Sequence, residues 1–291
     1  MTLLQPSGEF RRPLFAAQSR KPPSETAFGK ARKRRSLRLG KRIPYGWSFG
    51  PLLLLALWSI GSASSYIDPR SLPAPWTVVT TARELIADGR LQDNLLVSVT
   101  RVGEGFAFGI LAGVIAALFA GLSRTGEYLL DGVIQFKRAI PTLALIPLLM
   151  LYLGIGEGMK VAVISLAVFI PVYINLHAYL RATDTRYVEL AEALKLSYGG
   201  FIRHVVLPGA LPGLVLGLRL GVTAAWLALV VVEQINATSG IGYMINLAGS
   251  YGQINIVIVG LVVYGLLGFI SDAVVRLVEA RILRWRRTLS S

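Results

Sequence analysis

Cysteine is absent from this 291-residue chain, so disulfides, thiolate metal sites and cysteine nucleophiles are all excluded. Histidine occurs twice, as His177 and His204, and not as a His-Glu-x-x-His helix, so a histidine-based catalytic centre is a poor expectation. No Gly-x-x-x-x-Gly-Lys-Ser/Thr loop is present to cradle nucleotide phosphates, and no Gly-x-Ser-x-Gly elbow to present a nucleophile. Charge is also scarce. Only 16% of residues are charged and 54% are hydrophobic, a composition far from that of a soluble domain. The mean hydropathy of +0.58 points the same way. The net charge of +14 would be compatible with a nucleic-acid binder, but its distribution argues against one. Residues 1–46 hold twelve Lys or Arg against two acids. Such an arm beside a membrane span is drawn to anionic headgroups and sets orientation.

What remains is a series of apolar segments, each near the roughly 20 residues needed to cross hydrocarbon. Six spans are expected. The first runs from about Trp47 to Tyr66, followed by a polar stretch in which Val78 to Ile86 is expected as a surface helix. The second runs from Leu95 to Leu122, with Gly105, Gly109 and Gly113 forming a smooth strip for close helix approach. Near its end, Arg101 and Glu104 are spaced to pair with each other. Ser123 to Asp131 reads as a short inside loop. The third span, Gly132 to Leu153, carries Lys137, Arg138, Pro141 and Pro147, and the prolines predict a break or bend of the kind that borders a water-lined path. Val161 to Tyr179 crosses back, with His177 expected as a satisfied interface residue. The fifth span has a second strip, Gly209, Gly213, Gly217 and Gly221, then Trp226 and Glu233. Arg219 and Glu233, costly in lipid, should face protein or water. Asn236 to Gln253 is expected as an outside loop, and Ile254 to Ala273 recrosses. Lys and Arg cluster in the arm, in the stretch between the fourth and fifth spans and in the tail, while residues 236–253 have none, which places both termini in the cytoplasm.

One polar island interrupts this pattern, from Glu189 to Pro208. Leu190, Ala193, Leu194 and Leu196 alternate with Glu189, Glu192 and Lys195 near helical spacing, so an amphipathic helix is expected. Tyr198-Gly199-Gly200 is expected to turn the chain, and Pro208 to close a second helical piece.

This island resembles the cytoplasmic coupling loop of binding-protein-dependent ABC importer permeases, whose signature is Glu-Ala-Ala, three residues, Gly, nine residues, Ile-x-Leu-Pro. Glu189, Ala191, Val205, Leu207 and Pro208 take the matching positions. Leu190 stands where the first Ala is usual, and Lys195 where the Gly is. The resemblance extends to Leu72 to Pro75, to Ala139-Ile140-Pro141 through Gly154-Ile155-Gly156, and to Leu218-Arg219-Leu220 through Glu233, all similar to the sulfonate, taurine and nitrate subgroup.

The resemblance implies an all-α membrane protein of six transmembrane helices, a MetI-like core of five plus an N-terminal helix. It implies a basic arm over residues 1–46, a permease domain over 47–287 with its coupling loop at 184–208, and a tail at 288–291. It further implies that the chain moves a small anion, foremost an aliphatic sulfonate, inward with ATP hydrolysed by a separate subunit; taurine, nitrate or another small solute is the alternative. A secondary transporter or a membrane-embedded enzyme is a competing class. The implied partners are two ATP-binding subunits, a periplasmic or extracellular solute-binding protein, a second permease copy and membrane lipid, with no cofactor or metal held by the chain. The implied location is the bacterial inner membrane. Glu189, Ala191, Glu192, Ala193, Lys195, Gly199, Leu207 and Pro208 are the implied ATPase-coupling residues. Arg138, Pro141, Arg219, Trp226 and Glu233 are candidates for the translocation path.

Overall fold

The computed structural model describes residues 46–284. The basic arm, the last residues of the 47–287 domain and the tail expected at 288–291 lie outside that range. Among the described residues every regular element is helical: α1 Gly46–Ala63, α2 Pro75–Ala87, α3 Arg90–Leu122, α4 Arg124–Ala139, α5 Ile146–Leu153, α6 Glu157–Arg181, α7 Thr185–Ala193, α8 Tyr198–Phe201, α9 Leu207–Asn236, α10 Ile241–Ser250 and α11 Ile254–Ile282. From Gly50 the described residues form one compact unit.

Among the described residues four helices are long and apolar enough to cross a membrane: α3, α6, the continuous helix Tyr198–Ile235, and α11. The segments 124–139 and 142–153, which meet at 94°, make a fifth crossing when taken together as one broken span. The third expected span is therefore broken rather than bent. Ile140 is extended and Pro141 has no N–H to continue the ladder, so the direction changes there and a short 3₁₀ turn, Thr142–Leu145, restarts it. Lys137 Nζ donates to Thr142 Oγ1 at 2.7 Å, tying the two sides of the break together. With this pair the described residues give five crossings; the sixth expected span falls on α1, whose apolar part, Phe49–Ala63, is shorter than the helices that pass by length and composition.

Two stretches expected as loops are helices. Residues 124–131 open α4, because Ser123 caps it by accepting from the Gly126 N–H at 2.9 Å. Residues 241–250 form α10, whose Ile241, Met244, Ile245 and Ala248 are buried against Val78 and Leu85 of α2 and Ile256 and Val259 of α11. A polar-looking, Gly-rich segment folds here because its few large apolar residues fall on one face. The α2 helix itself occurs where a surface helix was expected.

At the centre stands α6, with Met159, Val163, Ile164, Val168 and Val172 fully buried. Both glycine strips press on it from opposite helices instead of meeting each other. A Cβ on Gly109 of α3 would lie 2.6 Å from the Ser165 carbonyl oxygen, and one on Gly213 of α9 would lie 2.6 Å from that of Asn175. The strips are smooth so that a helix carrying β-branched valines can fit between two backbones. Gly209, the first of the second strip, has nothing within 4 Å and takes no part.

Candidate functional site

The coupling island builds up from its caps. Asp184 accepts from the Arg186 N–H at 2.9 Å and starts α7. The helix ends where the Leu196 N–H returns to the Ala191 carbonyl at 2.9 Å and the Lys195 N–H to that of Glu192 at 3.0 Å. That paired closure requires the residue between them to be left-handed, and Lys195 has φ +52°. The usual Gly of the signature thus has a backbone reason, and Lys195 adopts the same conformation at a cost of about 1 kcal/mol. The turn is therefore at Lys195, not at Tyr198-Gly199-Gly200, which is helical and capped by Ser197 through the Gly200 N–H at 3.2 Å.

Nor does Pro208 close a piece. The backbone passes from α8 through a π turn, Ile202–Val206, into α9 without a break, giving one helix from Tyr198 to Ile235 of 38 residues. The proline sits in the first turn of α9, directly after the π turn, where the hydrogen-bond ladder is already shifted. Half of the island is thus a rigid extension of a membrane span.

Of the expected coupling residues, Ala191 is buried, Leu207 and Pro208 are half-buried, and Glu189, Glu192, Ala193, Lys195 and Gly199 are exposed. The apolar side of the amphipathic pattern faces outward: Leu190 is 54% exposed, Leu194 64% and Tyr198 71%. Tyr187 and Val188, which the signature does not single out, join this surface. Beneath it Tyr198 Oη donates to the Leu122 carbonyl at 3.2 Å, and Arg181 pairs with Glu127 at 2.8 Å. A groove of about 640 Å³ opens beside it, lined by Tyr179, Tyr187, Leu190, His204 and Pro208.

At the opposite end of α9 is a buried ion network. Glu233 has no exposed surface and accepts from Ser98 Oγ at 2.8 Å, Arg101 Nη1 at 2.8 Å, the Gly242 N–H at 2.8 Å and Tyr264 Oη at 2.8 Å. Arg101, only 3% exposed, also forks onto Glu157, whose side chain is 61% exposed at the network's rim, at 2.5 and 2.6 Å and donates to the Ser239 carbonyl at 2.7 Å. Lys160 pairs with Glu157 at 2.8 Å, so two cations balance two carboxylates. The first N–H groups of α10 end on side chains from α3 as well, Gly240 on Asn94 at 2.7 Å and Ile241 on Ser98 at 2.9 Å. The pairing expected between Arg101 and Glu104 does not form: Glu104 is exposed while Arg101 turns inward. Helical proximity supplied a plausible partner, but two tertiary carboxylates lay where the long side chain could be desolvated and paired.

The path candidates are spread along the fold. Arg138 and Pro141 are exposed at the α4–α5 break. Arg219 is 48% exposed and its Nε donates to Asp272 Oδ1 at 3.2 Å. Trp226 Nε1 donates to Ser271 Oγ at 3.2 Å. Glu233 is enclosed in the network just described and lines no open surface in this structure. His177, expected to be satisfied, stacks on Tyr173 with ring centroids 5.3 Å apart, yet its Nε2 and the Tyr173 hydroxyl make no hydrogen bond among the described residues. Ser98, Glu157, Ser239 and Tyr264 carried no sequence signal that would have joined them.

A helical membrane core with an uncovered amphipathic island rigidly joined to one span is the architecture of an ABC importer permease. The chain matches the family model of the binding-protein-dependent transport system inner membrane component over residues 109–284, and it belongs to that family. It is 38% identical to the putative aliphatic sulfonates transport permease protein SsuC of Bacillus subtilis, over 84% of this chain and 90% of that one. It is 41% identical to the protein of the same name from Escherichia coli, over 81% and 90%. Among solved structures, an amino acid ABC transporter crystallised with histidines shares the fold at a TM-score of 0.56 and 17% identity, over 71% of this chain and 97% of that one. As a multi-pass permease of this family, the chain works with an ATP-binding subunit and a solute-binding protein, and ATP is hydrolysed outside it.

Proposed function

We propose that this permease carries aliphatic sulfonates into a bacterial cell across the inner membrane, as a homodimer served by two ATP-binding subunits. Its termini and the coupling island face the cytoplasm, and the end of the fold holding the Arg101–Glu233 network faces the solute-binding protein. No cofactor is needed by the chain itself. The observation that carries the reading is the apolar surface of α7 and α8, left uncovered by the chain's own fold and continuous with the 38-residue helix.

Covering a leucine is worth about 1.5–3 kcal/mol, so Leu190, Leu194 and their neighbours make a docking face for a large partner. Glu189, Glu192 and Lys195 border it with charge, and Ala193 and Gly199 leave it low enough for close approach. Leu207 and Pro208 lie where the island becomes span. An ATP-binding subunit that pushes this face moves α9, and with it Arg219, Trp226 and Glu233, as one body. The Arg138–Pro141 break gives a second place where the wall of the path can rearrange. The substrate class is supported by the names of the two relatives.

The test is reconstitution of the permease with its ATP-binding subunit and solute-binding protein. Alkanesulfonate should stimulate ATP hydrolysis and accumulate in the vesicles. Glu189→Lys should abolish both while the permease still inserts. Stimulation by an unrelated solute but not by sulfonate would overturn the substrate, and a permease that purifies without a nucleotide-binding subunit would overturn the coupling role.

A further inference from the structure

We propose that Arg219, braced by Asp272 and followed along α9 by Thr223 and Trp226, is a solute-contact subsite that holds a monoanion by its charged head and its short apolar tail. The inference rests on the import reading above and specifies what the chain itself recognises.

Arg219 lies 14 residues before Glu233, roughly 21 Å along the helix, and inside the span. Cations at such depth are rare and face protein, water or a ligand. Asp272 does not neutralise this one alone, because its other oxygen is taken by Arg276 at 2.9 Å. Two guanidinium groups therefore share one carboxylate, and the cluster keeps one positive charge. Only Nε of Arg219 is used, so among the described residues its two terminal nitrogens make no hydrogen bond. A planar pair of donors is suited to two oxygens of a tetrahedral anion.

Outward from that head-group position, Thr223 and Trp226 follow at helical spacing on the same face. They line a cavity of about 320 Å³ with Val222, Leu227, Tyr264 and Gly268, small in the range of ligand pockets. Trp226 meets Tyr264 edge-on at 6.2 Å and is anchored through Ser271, so the aromatic wall is fixed rather than loose. The far end closes where Tyr264 Oη donates to Glu233. Both nearby carboxylates, Asp272 and Glu233, are already engaged by Arg or Tyr partners. Among the described residues no carboxylate without a partner lies there to receive an ammonium group, so the slot favours a plain alkanesulfonate over an aminosulfonate such as taurine.

Uptake of methanesulfonate, butanesulfonate and taurine into proteoliposomes holding the full transporter tests this, with the same solute-binding protein throughout. Arg219→Ala should cut butanesulfonate uptake about tenfold or more, the loss of a charged hydrogen-bond pair, with Arg219→Lys in between. Trp226→Ala should shrink the preference for butane- over methanesulfonate, which an apolar slot sets at about fourfold per methylene. All three variants should insert and co-purify with the ATP-binding subunit as wild type does, so that lost uptake is not lost assembly. Vesicles of phosphatidylcholine alone should give the same pattern. If the Arg219 effect appears only with anionic lipid, the occupant is a headgroup and the proposal falls. Uptake by Arg219→Ala within twofold of wild type, or failure of both Arg219 variants to assemble with the ATP-binding subunit, also overturns it. If wild type imports no sulfonate at all, the import reading fails first.

Discussion

Lys195 shows how much one backbone angle explains. The family signature places Gly there, and the helix closure after Ala191 demands a left-handed residue. Lys195→Gly should raise the stability of the island by up to about 1 kcal/mol, seen as slower proteolysis of the loop in the purified permease. A faster cut would mean that the lysine side chain contributes more than its backbone costs. At Glu233 the stakes are larger. Arg101→Leu leaves a carboxylate with no exposed surface facing only neutral donors and should cost about 3–5 kcal/mol. The double variant Arg101→Leu with Glu233→Leu should lose less than the two single losses added together. Thermal unfolding in detergent gives the cycle, and strict additivity would show that the pair is not coupled.

Helices here are defined by what approaches them. The three-helix layer of α3, α6 and α9 depends on glycines whose Cβ positions are occupied by a neighbour's backbone. Gly213→Val should therefore disrupt packing by several kcal/mol, with the ring of Tyr179 and the Asn175 carbonyl both 2.6 Å from the added carbon. Gly209→Ala, in the same sequence strip with open space around it, should be neutral or slightly stabilising. Comparing the unfolding temperatures of these two variants distinguishes a packing strip from a merely glycine-rich one. The periodicity was legible in the sequence; the partner was not, because a smooth face states that something comes close without stating what.

Over the whole molecule, the absence of cysteine makes topology directly measurable. A single cysteine at Ser197 should react with an impermeant maleimide only when the cytoplasmic side is open, and one at Ser239 only from outside. Labelling of Ser197→Cys from outside would remove the ATP-binding partner from the face that α7 and α8 present. At this scale the island and the far network share one helix. The helix from Tyr198 to Ile235 is about 57 Å long at 1.5 Å per residue, and it ends two residues past Glu233.

The sequence by itself determined the membrane class and the helical architecture, and it marked the polar island from Glu189 to Pro208, because hydropathy, helical period and proline chemistry act over neighbouring residues. Tertiary structure alone decided that Arg101 pairs with Glu157 and Glu233 rather than Glu104, that the two glycine strips share α6, that Arg219 meets Asp272, and that Trp226 and Tyr264 line one cavity. Those residues are separated by tens to more than a hundred positions, and only packing brings their side chains within the few ångströms at which hydrogen bonds and close contact operate.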